Sequence, residues 1–319
     1  MPNITIIIIN WNSWDVLKIC LDKLQQQTYR DFNVLVLDNA STQIMPEGLS
    51  TRYTNVQIVQ NKTNMGFAAA NNQAIKTLVN VELCVLLNPD AFPEPAWLAT
   101  LVNAAIENLD YAAFASRQLM YNDSNLLDGD GDVYHISGLM WRDGYGKPKQ
   151  NAASVSREVF SPCAAAALYR IDALMAVGGF DEDFFCYAED VDLGFRLRLA
   201  GYKCLLVPDA VVYHVGYASS GGKSSNFSVY YGHRNLLWTF VKNMPGVLFW
   251  ALLPMHVLLT LLSLAVFSYR GQGLAICRAK WDALKVLPTV WSKRLVIQKN
   301  RVVSVAEIWR LLDKSIFKR

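Results

Sequence analysis

The chain has 319 residues, 52% of them hydrophobic and 18% charged, enough for one large domain with an appendage. Its formal charge is +3, yet residues 270–319 hold 12 of the 30 Lys and Arg and only 3 of the 27 Asp and Glu, so the tail carries +9 and the rest −6. A basic tail on an acidic body points to an anionic membrane surface and argues against nucleic acid as the partner; a mean hydropathy of +0.16 leans the same way. Cys20, Cys84, Cys163, Cys186, Cys204 and Cys277 form no C-x-x-C pair, and several sit in apolar runs. Reduced core thiols in a cytoplasmic protein are therefore expected, without a signal peptide.

Ile4–Ile9 is a β-branched run that predicts a buried strand ending at Asn10-Trp11-Asn12. Trp14–Gln27 carries Val16, Leu17, Cys20, Leu21 and Leu24 at helical spacing. Phe32–Leu37 reads as a second strand, ending in Asp38-Asn39-Ala40-Ser41, and Val56–Val59 as a third. Asn64 and Gly66 then open a helix of small residues running to about Val79, and Glu82–Leu87 is the fourth strand. This β-α-β-α-β order predicts an α/β fold with parallel strands, right-handed crossovers and helices on the sheet faces. No G-x-G-x-x-G turn or P-loop follows the first strand, so a glycine-rich turn would not hold a bound nucleotide. Asp38 either accepts a hydrogen bond from a base or ribose or caps its own turn.

The fourth strand ends in Asn88-Pro89-Asp90. Pro89 stops the ladder and restrains the backbone, so Asp90 is expected to face outward at a carboxyl strand end, where open α/β sheets place ligands. A carboxylate there suits a hard divalent cation carrying phosphate oxygens, or simply caps a strand-end turn. Glu94–Asn108 reads as a helix with Pro93 and Pro95 at its start. Residues 117–160 are Gly/Asp-rich and poorly periodic; Asp128-Gly129-Asp130-Gly131-Asp132 lacks the EF-hand spacing and is expected to be a mobile loop. Order returns with a strand over Cys163–Tyr169 and a helix over Ile171–Val177, closed by Gly178-Gly179.

The next helix runs through Val191, Leu193, Phe195, Leu197 and Leu199, with Glu189, Asp190 and Asp192 in its first turn. The helix dipole accounts for some of this charge. Three acids beside aromatics exceed what capping needs, and crowding raises at least one pKa, which suits a general base or a metal ligand. Cys204–Val207 and Ala210–Tyr213 read as two short closing strands, the second ending at His214, either a structural residue or a ligand. Tyr217–Phe227 is Ser/Gly-rich: a lid turning Lys223 toward phosphate, or a linker.

Seven short stretches, in this order, resemble a family 2 glycosyltransferase with the GT-A fold. They are Ile9-Asn10-Trp11-Asn12, Val36-Leu37-Asp38-Asn39-Ala40-Ser41, Asn64-Met65-Gly66-Phe67-Ala68-Ala69-Ala70-Asn71-Asn72, Leu87-Asn88-Pro89-Asp90-Ala91, Gly178-Gly179-Phe180-Asp181-Glu182, Glu189-Asp190-Val191-Asp192 and Tyr213-His214. The chain most resembles the bacterial rhamnosyltransferase-like branch that builds cell-surface polysaccharide on lipid carriers. The resemblance covers about residues 3–245. It implies a Rossmann-like mixed, mainly parallel sheet flanked by helices, a catalytic domain over residues 1–228 and a helical, membrane-associating region over 229–319.

The resemblance also implies metal-dependent, inverting transfer from a nucleotide sugar, dTDP-rhamnose first and UDP-sugars next. The acceptor would be a hydroxyl of a glycan on polyprenyl diphosphate. Asp38 would read the base, with Asn10 beneath it, and Asn12, Asn64, Gly66, Asn88 and Asp90 would also contact the donor. Asp90 and His214 would bind Mg2+ or Mn2+. Asp190 would be the catalytic base, with Glu189, Asp192 and Lys223 supporting it or the acceptor. Asn88 stands where the first Asp of the family's D-x-D motif is expected; its amide oxygen can coordinate but supplies no charge. Two other readings compete. A catalytically silent nucleotide-sugar scaffold at a membrane is opposed by the intact Glu189-Asp190 pair, and a Rossmann oxidoreductase by the missing glycine fingerprint.

In the tail, Tyr230–Asn243 predicts an amphipathic, aromatic-rich helix, and no Asp, Glu, Lys or Arg occurs from Asn243 to Tyr269. Gly246–Phe267 is long enough to cross a bilayer, which needs about 20 residues. A crossing would place the basic tail outside, against the positive-inside rule. Pro254 is expected to break the run, so a bent, monotopic insertion at the cytoplasmic face is expected, with a single span as the alternative.

Overall fold

In the computed structural model, residues 2–216 and 225–315 are described. The amino-terminal region alternates strand and helix: β1 (Ile4–Asn10), α1 (Trp14–Leu24), β2 (Asn33–Asp38), the single turn α2 (Leu49–Arg52), β3 (Val56–Gln60), α3 (Gly66–Lys76) and β4 (Leu83–Leu87). Strands β4, β1, β2 and β3 lie side by side and parallel. Alternate side chains feed two cores: Ile4, Ile6, Ile8, Val34 and Val36 join the core that takes in α1, and Ile7, Leu35 and Leu37 the core that takes in α3. An unbroken apolar run is what a strand covered on both faces requires. Ala68, Ala70 and Ala74 let α3 lie close to the sheet.

The chain continues through β5 (Ala91–Pro93), α4 (Trp97–Glu107), β6 (Tyr111–Met120), β7 (Asp123–Gly129), β8 (Asp132–Tyr134), β9 (Met140–Arg142), β10 (Arg157–Glu158), β11 (Ala166–Arg170), α5 (Ile171–Ala176), α6 (Glu189–Leu199) and β12 (Lys203–His214). Antiparallel β11 joins the parallel half to the rest, giving the order β10-β12-β6-β11-β4-β1-β2-β3, with β5 beside β12 and β7 beside β6. The two expected closing strands are a single strand, β12, whose register shifts between Val207 and Val211. Pro208 and Asp209 sit in that shift, as expected of a residue that cannot donate to the ladder. The sheet thus brings Asn10, Asp38, Leu87 and His214 to one edge, the carboxyl ends of β1, β2, β4 and β12.

Residues 117–160 carry regular structure despite their weak periodicity, and the expected loop at Asp128–Asp132 is built into it. β6 and β7 form a hairpin, and β8 and β9 form a separate two-stranded ribbon. Asp128, Asp130 and Asp132 are buried, exposed by 4%, 2% and 5%. Arg117 grips Asp130 through bonds of 3.0 and 2.8 Å, and Arg142 pairs with Asp128. Buried carboxylates need cationic partners, and these partners stand on other strands, out of reach of a local composition.

The carboxyl-terminal region is helical: α7 (Asn226–Asn243), α8 (Gly246–Phe267), α9 (Gly273–Lys285), α10 (Leu287–Lys299) and α11 (Val305–Leu311). It shares a third core with α6, in which Phe195 and Leu199 meet Phe240, Phe249, Ala283, Val290 and Ile308. Each such buried large side chain contributes about 2–3 kcal/mol. Helix α8 matches the uncharged stretch end to end and continues through Pro254 instead of breaking there. A proline inside a long apolar helix removes one hydrogen bond, a cost that the remaining turns carry. The bend falls instead in Ser268–Gln272, where Gly271 takes φ 79°, a left-handed conformation natural to glycine.

The chain then returns to the body. Trp238 Nε1 donates to Ala283 O at 3.1 Å and Tyr230 Oη to Asp282 at 2.7 Å, which holds α9 on α7. Arg294 of α10 donates to the Val241 and Met244 carbonyls at 2.7 and 2.6 Å. Beyond α11, Asp313 exchanges backbone bonds with Tyr134 and Ile136 at 2.9 and 3.0 Å. Helix α8 buries one stripe (Phe249, Leu252, His256 and Ser263) and leaves Val247, Trp250, Leu258, Leu261 and Leu262 more than half exposed. It is one helix long and apolar enough to cross a membrane, and only 28% of its most apolar window is buried.

Candidate active site

A cavity of about 740 Å3 opens at the carboxyl edge of the sheet. Asn64, Gly66, Asn88, Asp90, Glu189, Asp190 and His214 all line it. A second cavity, about 450 Å3, opens among Asn3, Thr5, Asn33 and Asn55 toward the amino ends of the strands, and no charged residue lines it.

One wall comes from the parallel half. Gly66 begins α3 with φ 81°, and a Cβ there would lie 2.5 Å from Phe185 Cδ2 and 2.6 Å from Phe185 O, so the position demands glycine twice over. Asn64 Oδ1 accepts from Gly66 N and from Asn39 Nδ2, both at 2.9 Å, which sets the shape of that turn. Three of the expected donor contacts stand behind this surface. Asn10 and Asp38 are buried, and Asn10 Nδ2 donates to Asp38 Oδ1 at 2.9 Å. Ser41 Oγ donates to the same carboxylate oxygen at 2.5 Å. Asn12 Oδ1 accepts from the Thr42 and Gln43 amides at 2.8 and 3.1 Å. None of Asn10, Asn12 and Asp38 lines the cavity; they hold the loops that do.

The floor is acidic and basic in alternation. Asp90 lines the cavity at the end of β4, as the strand-end position suggested, and is only 6% exposed. His214, from the end of β12, sets Nε2 3.4 Å from Asp90 Oδ1, while its Nδ1 is 2.7 Å from Asp128 Oδ2. Burial opposes charge on His214, but the carboxylates of Asp128 and Asp90 raise its pKa above the ordinary value. Burial likewise opposes charge on Asp90, yet His214 holds that carboxyl below its usual range. His214 Nε2 is a buried nitrogen without a hydrogen bond, aimed at the Asp90 carboxylate. A nitrogen and an oxygen donor meeting in this way fit two ligands of a divalent cation. Among the described residues no group of three His, Cys, Asp or Glu side chains is arranged for a metal, so a ligand would have to complete the shell.

The opposite wall is the start of α6 and the loop before it. Phe185, Tyr187 and Ala188 all take positive φ, a strained run that surrounding bonds must hold. Asn235, fully buried on α7, donates to the carbonyls of Phe184, Cys186 and Tyr187 at 3.0, 2.9 and 2.8 Å. That loop delivers Asp190, whose Oδ2 accepts from Ala164 N at 3.2 Å and Oδ1 from Val191 N at 2.8 Å. Glu189 lines the cavity beside it and is 7% exposed; burial, and then Asp190, push its pKa well up. The crowding expected of this turn is therefore felt by Glu189.

Asp192 departs from expectation. It is fully buried away from the cavity, bound by Arg196 Nε at 2.8 Å, Lys242 Nζ at 2.7 Å and Asn243 Nδ2 at 2.7 Å. Two residues past Asp190, about 200° round the helix, it faces away from the cavity and toward α7, so it ties the two helices together. Lys223 lies outside the described residues, as does most of the Ser/Gly-rich segment around it.

Residues 5–178, more than half of the chain and every strand from β1 to β11, match the family described as Glycosyl transferase family 2. The chain belongs to that family. As a family 2 glycosyltransferase it is 28% identical over 241 residues to the N-acetylglucosaminyl-diphospho-decaprenol L-rhamnosyltransferase of Mycobacterium tuberculosis, covering 68% of this chain and 77% of that one. Its GT-A fold is shared with two solved structures. One is the mannosyltransferase PcManGT of Pyrobaculum calidifontis, in complex with GDP-Man and Mn2+ (TM-score 0.54, 18% identity, 97% of this chain and 88% of that one). The other is GalNAc-T7 with UDP, GalNAc and Mn2+ (TM-score 0.61, 14% identity), of which the match covers 48%, against 76% of this chain.

Several residues of the site give little local signal. Asp128 and Asp132 come from a stretch that reads as a loop, Arg142 from the poorly periodic residues after it, and Asn235 from a helix that reads as amphipathic and aromatic-rich. The trace available was the density of acids at alternate positions between Asp128 and Asp132, too many for a plain turn.

Proposed function

We propose that this glycosyltransferase moves a sugar from a nucleoside diphosphate, dTDP-rhamnose first and UDP-sugars next, to a hydroxyl of a polyprenyl-diphosphate-linked glycan, with inversion. The carrying observation is that Asp90 after β4, Glu189 and Asp190 at the start of α6, and His214 at the end of β12 converge on one cavity. The name of the mycobacterial relative supports the sugar and the lipid-linked acceptor.

In this reading Asn64, Gly66 and Asn88 bound the donor, and Asn10, Asn12 and Asp38 hold the loops that carry it. A divalent cation, Mg2+ or Mn2+, held by Asp90 and His214 would neutralise charge gathering on the leaving diphosphate. Asp190, oriented by two backbone amides, takes the proton of the acceptor hydroxyl. The hydroxyl oxygen forms its bond to the anomeric carbon as the bond to the diphosphate breaks, and one displacement inverts the centre.

The helical region 229–319 is proposed as the membrane-associating part. The exposed face of α8, the exposed Trp281 and Leu284 of α9 and the +9 tail support attachment to an anionic cytoplasmic leaflet. The return of α9–α11 to the catalytic body favours a monotopic attachment over a single span.

Thermal melting against a panel of nucleotide sugars, with and without Mn2+, tests the donor side. A stabilisation is expected that needs both dTDP-rhamnose and the cation, and Asp90→Ala should remove it, weakening donor binding by more than about tenfold. Equal stabilisation of the variant would remove Asp90 from this role.

A further inference from the structure

Asp132 is 5% exposed and lines the cavity, and its Oδ2 has no hydrogen-bond partner. A bare buried carboxyl oxygen costs stability, so one facing a cavity points to a ligand. The residue stands next to the base. Asp132 N donates to Ser161 O at 2.8 Å, and Ser161 Oγ donates to Asp190 O at 3.0 Å. Glu189, beside Asp190 in the chain and lining the same cavity, also has a bare buried oxygen, Oε2. The ribbon β8–β9 that carries Asp132 is separate from the strands that build the donor loops, and it sets Trp141 on the wall of a cavity that Tyr145 and Tyr187 also line.

We propose that Asp132 is an acceptor-positioning residue: with Glu189 it binds hydroxyls of a neutral terminal sugar and turns the attacking hydroxyl toward Asp190. This rests on the transfer reading above. Burial, and then the nearby Asp190, raise the Asp132 pKa well above the ordinary value, as burial and Asp190 do for Glu189. A protonated carboxyl offers one donor and one acceptor, the pair that two vicinal hydroxyls need. The aromatic faces cover the C–H face of a pyranose. A uronate or phosphorylated sugar would bring its charge beside the carboxylate of Asp190, so the same arrangement disfavours acidic sugars.

The test uses the full chain with dTDP-rhamnose and octyl glycosides of N-acetylglucosamine, glucose and rhamnose, with octyl glucuronide as the charged probe. Asp132→Leu is expected to raise the acceptor KM about 30-fold, the loss of two hydrogen bonds, with a smaller fall in kcat. Asp132→Asn keeps a donor and an acceptor and should recover the KM to within about threefold. The donor Kd, from calorimetry, should move less than about twofold in both. The glucuronide should bind the parent more than about tenfold more weakly than the glucoside.

An unchanged acceptor KM in a folded Asp132→Leu protein overturns the proposal. So does a donor Kd weakened as much as the acceptor KM, or an Asp132→Asn protein as impaired as Asp132→Leu. Saturation-transfer NMR of glycoside binding needs no turnover. A chain that binds neutral glycosides through Asp132 yet transfers nothing would sink the transfer reading and, with it, the positioning role, leaving only the glycoside site.

Discussion

The two walls of the cavity are built by different means. The wall from β1 to α3 follows the chain closely, and its loops are held by neutral amides: Asn10 on Asp38, Asn12 on the Thr42 and Gln43 amides, Asn64 on Gly66. The wall around Asp190 is assembled from distant segments and held by buried charge. Lys242 reaches Asp181 at 2.5 Å and Asp192 at 2.7 Å, and Asn235 grips the strained loop across some 50 positions of sequence. The walls meet at Gly66 and Phe185, where Ala68 N also donates to Phe185 O at 3.2 Å. Binding of a large, recurrent ligand needs a rigid local frame. The base role proposed for Asp190 needs placement to a fraction of an ångström, and long-range ties can supply that by over-determining one loop.

The comparison breaks first at Asp190. Asp190→Asn should lower kcat about 10^3-fold while the donor Kd stays within about threefold, measured by single-turnover kinetics and calorimetry. A donor Kd that fell with kcat would merge the two walls into one functional unit. Next comes Asn235→Ala, which leaves buried carbonyls at Phe184, Cys186 and Tyr187 without their donor and should cost about 2–3 kcal/mol in urea unfolding. Its activity loss should lie in kcat and not in donor affinity; the reverse would show that the loop serves the donor.

Gly66→Ala tests the seam. A Cβ meeting Phe185 at 2.5 Å, at φ 81°, should cost about 1–3 kcal/mol and weaken donor binding, read from the melting temperature and calorimetry. A neutral result would mean that the Phe185 loop yields more easily than its bonds suggest.

The smallest effect is acid-side. Burial disfavours the Asp181 charge, but Lys242 and Lys293 outweigh it and hold the carboxyl below the usual range. A folded pKa below the unfolded one contributes stability that is present above about pH 4 and is lost as pH falls through the folded value. Unfolding at pH 6 and pH 3 should therefore show a decline that Asp181→Asn flattens. An identical decline in the variant would assign the acid sensitivity elsewhere.

Legibility followed the same division. The parallel half was plain in the sequence, since Ile4–Ile9, Phe32–Leu37 and Glu82–Leu87 carry their burial in their own composition, and a strand buried on both faces has no other way to read. Asp90, Asp190 and His214 were legible as ends of elements, and the fold brings them to one cavity. Asp192 misled, because a first-turn acid looks alike whether it faces a cavity or a buried lysine. The segment holding Asp128 and Asp132 misled more, because Gly and Asp signal turns locally while Arg117, Arg142 and His214 supply the partners from afar.

By itself the sequence determined the order of strands and helices, the family, the acids at the element ends and the uncharged length of α8, because periodicity and composition are local properties. The tertiary structure decided which acids share a cavity, which are spent on packing, where the apolar tail bends and that its helices return to the catalytic body. Those outcomes depend on which charge or carbonyl lies opposite, and no residue carries that information until distant segments are brought within a few ångströms.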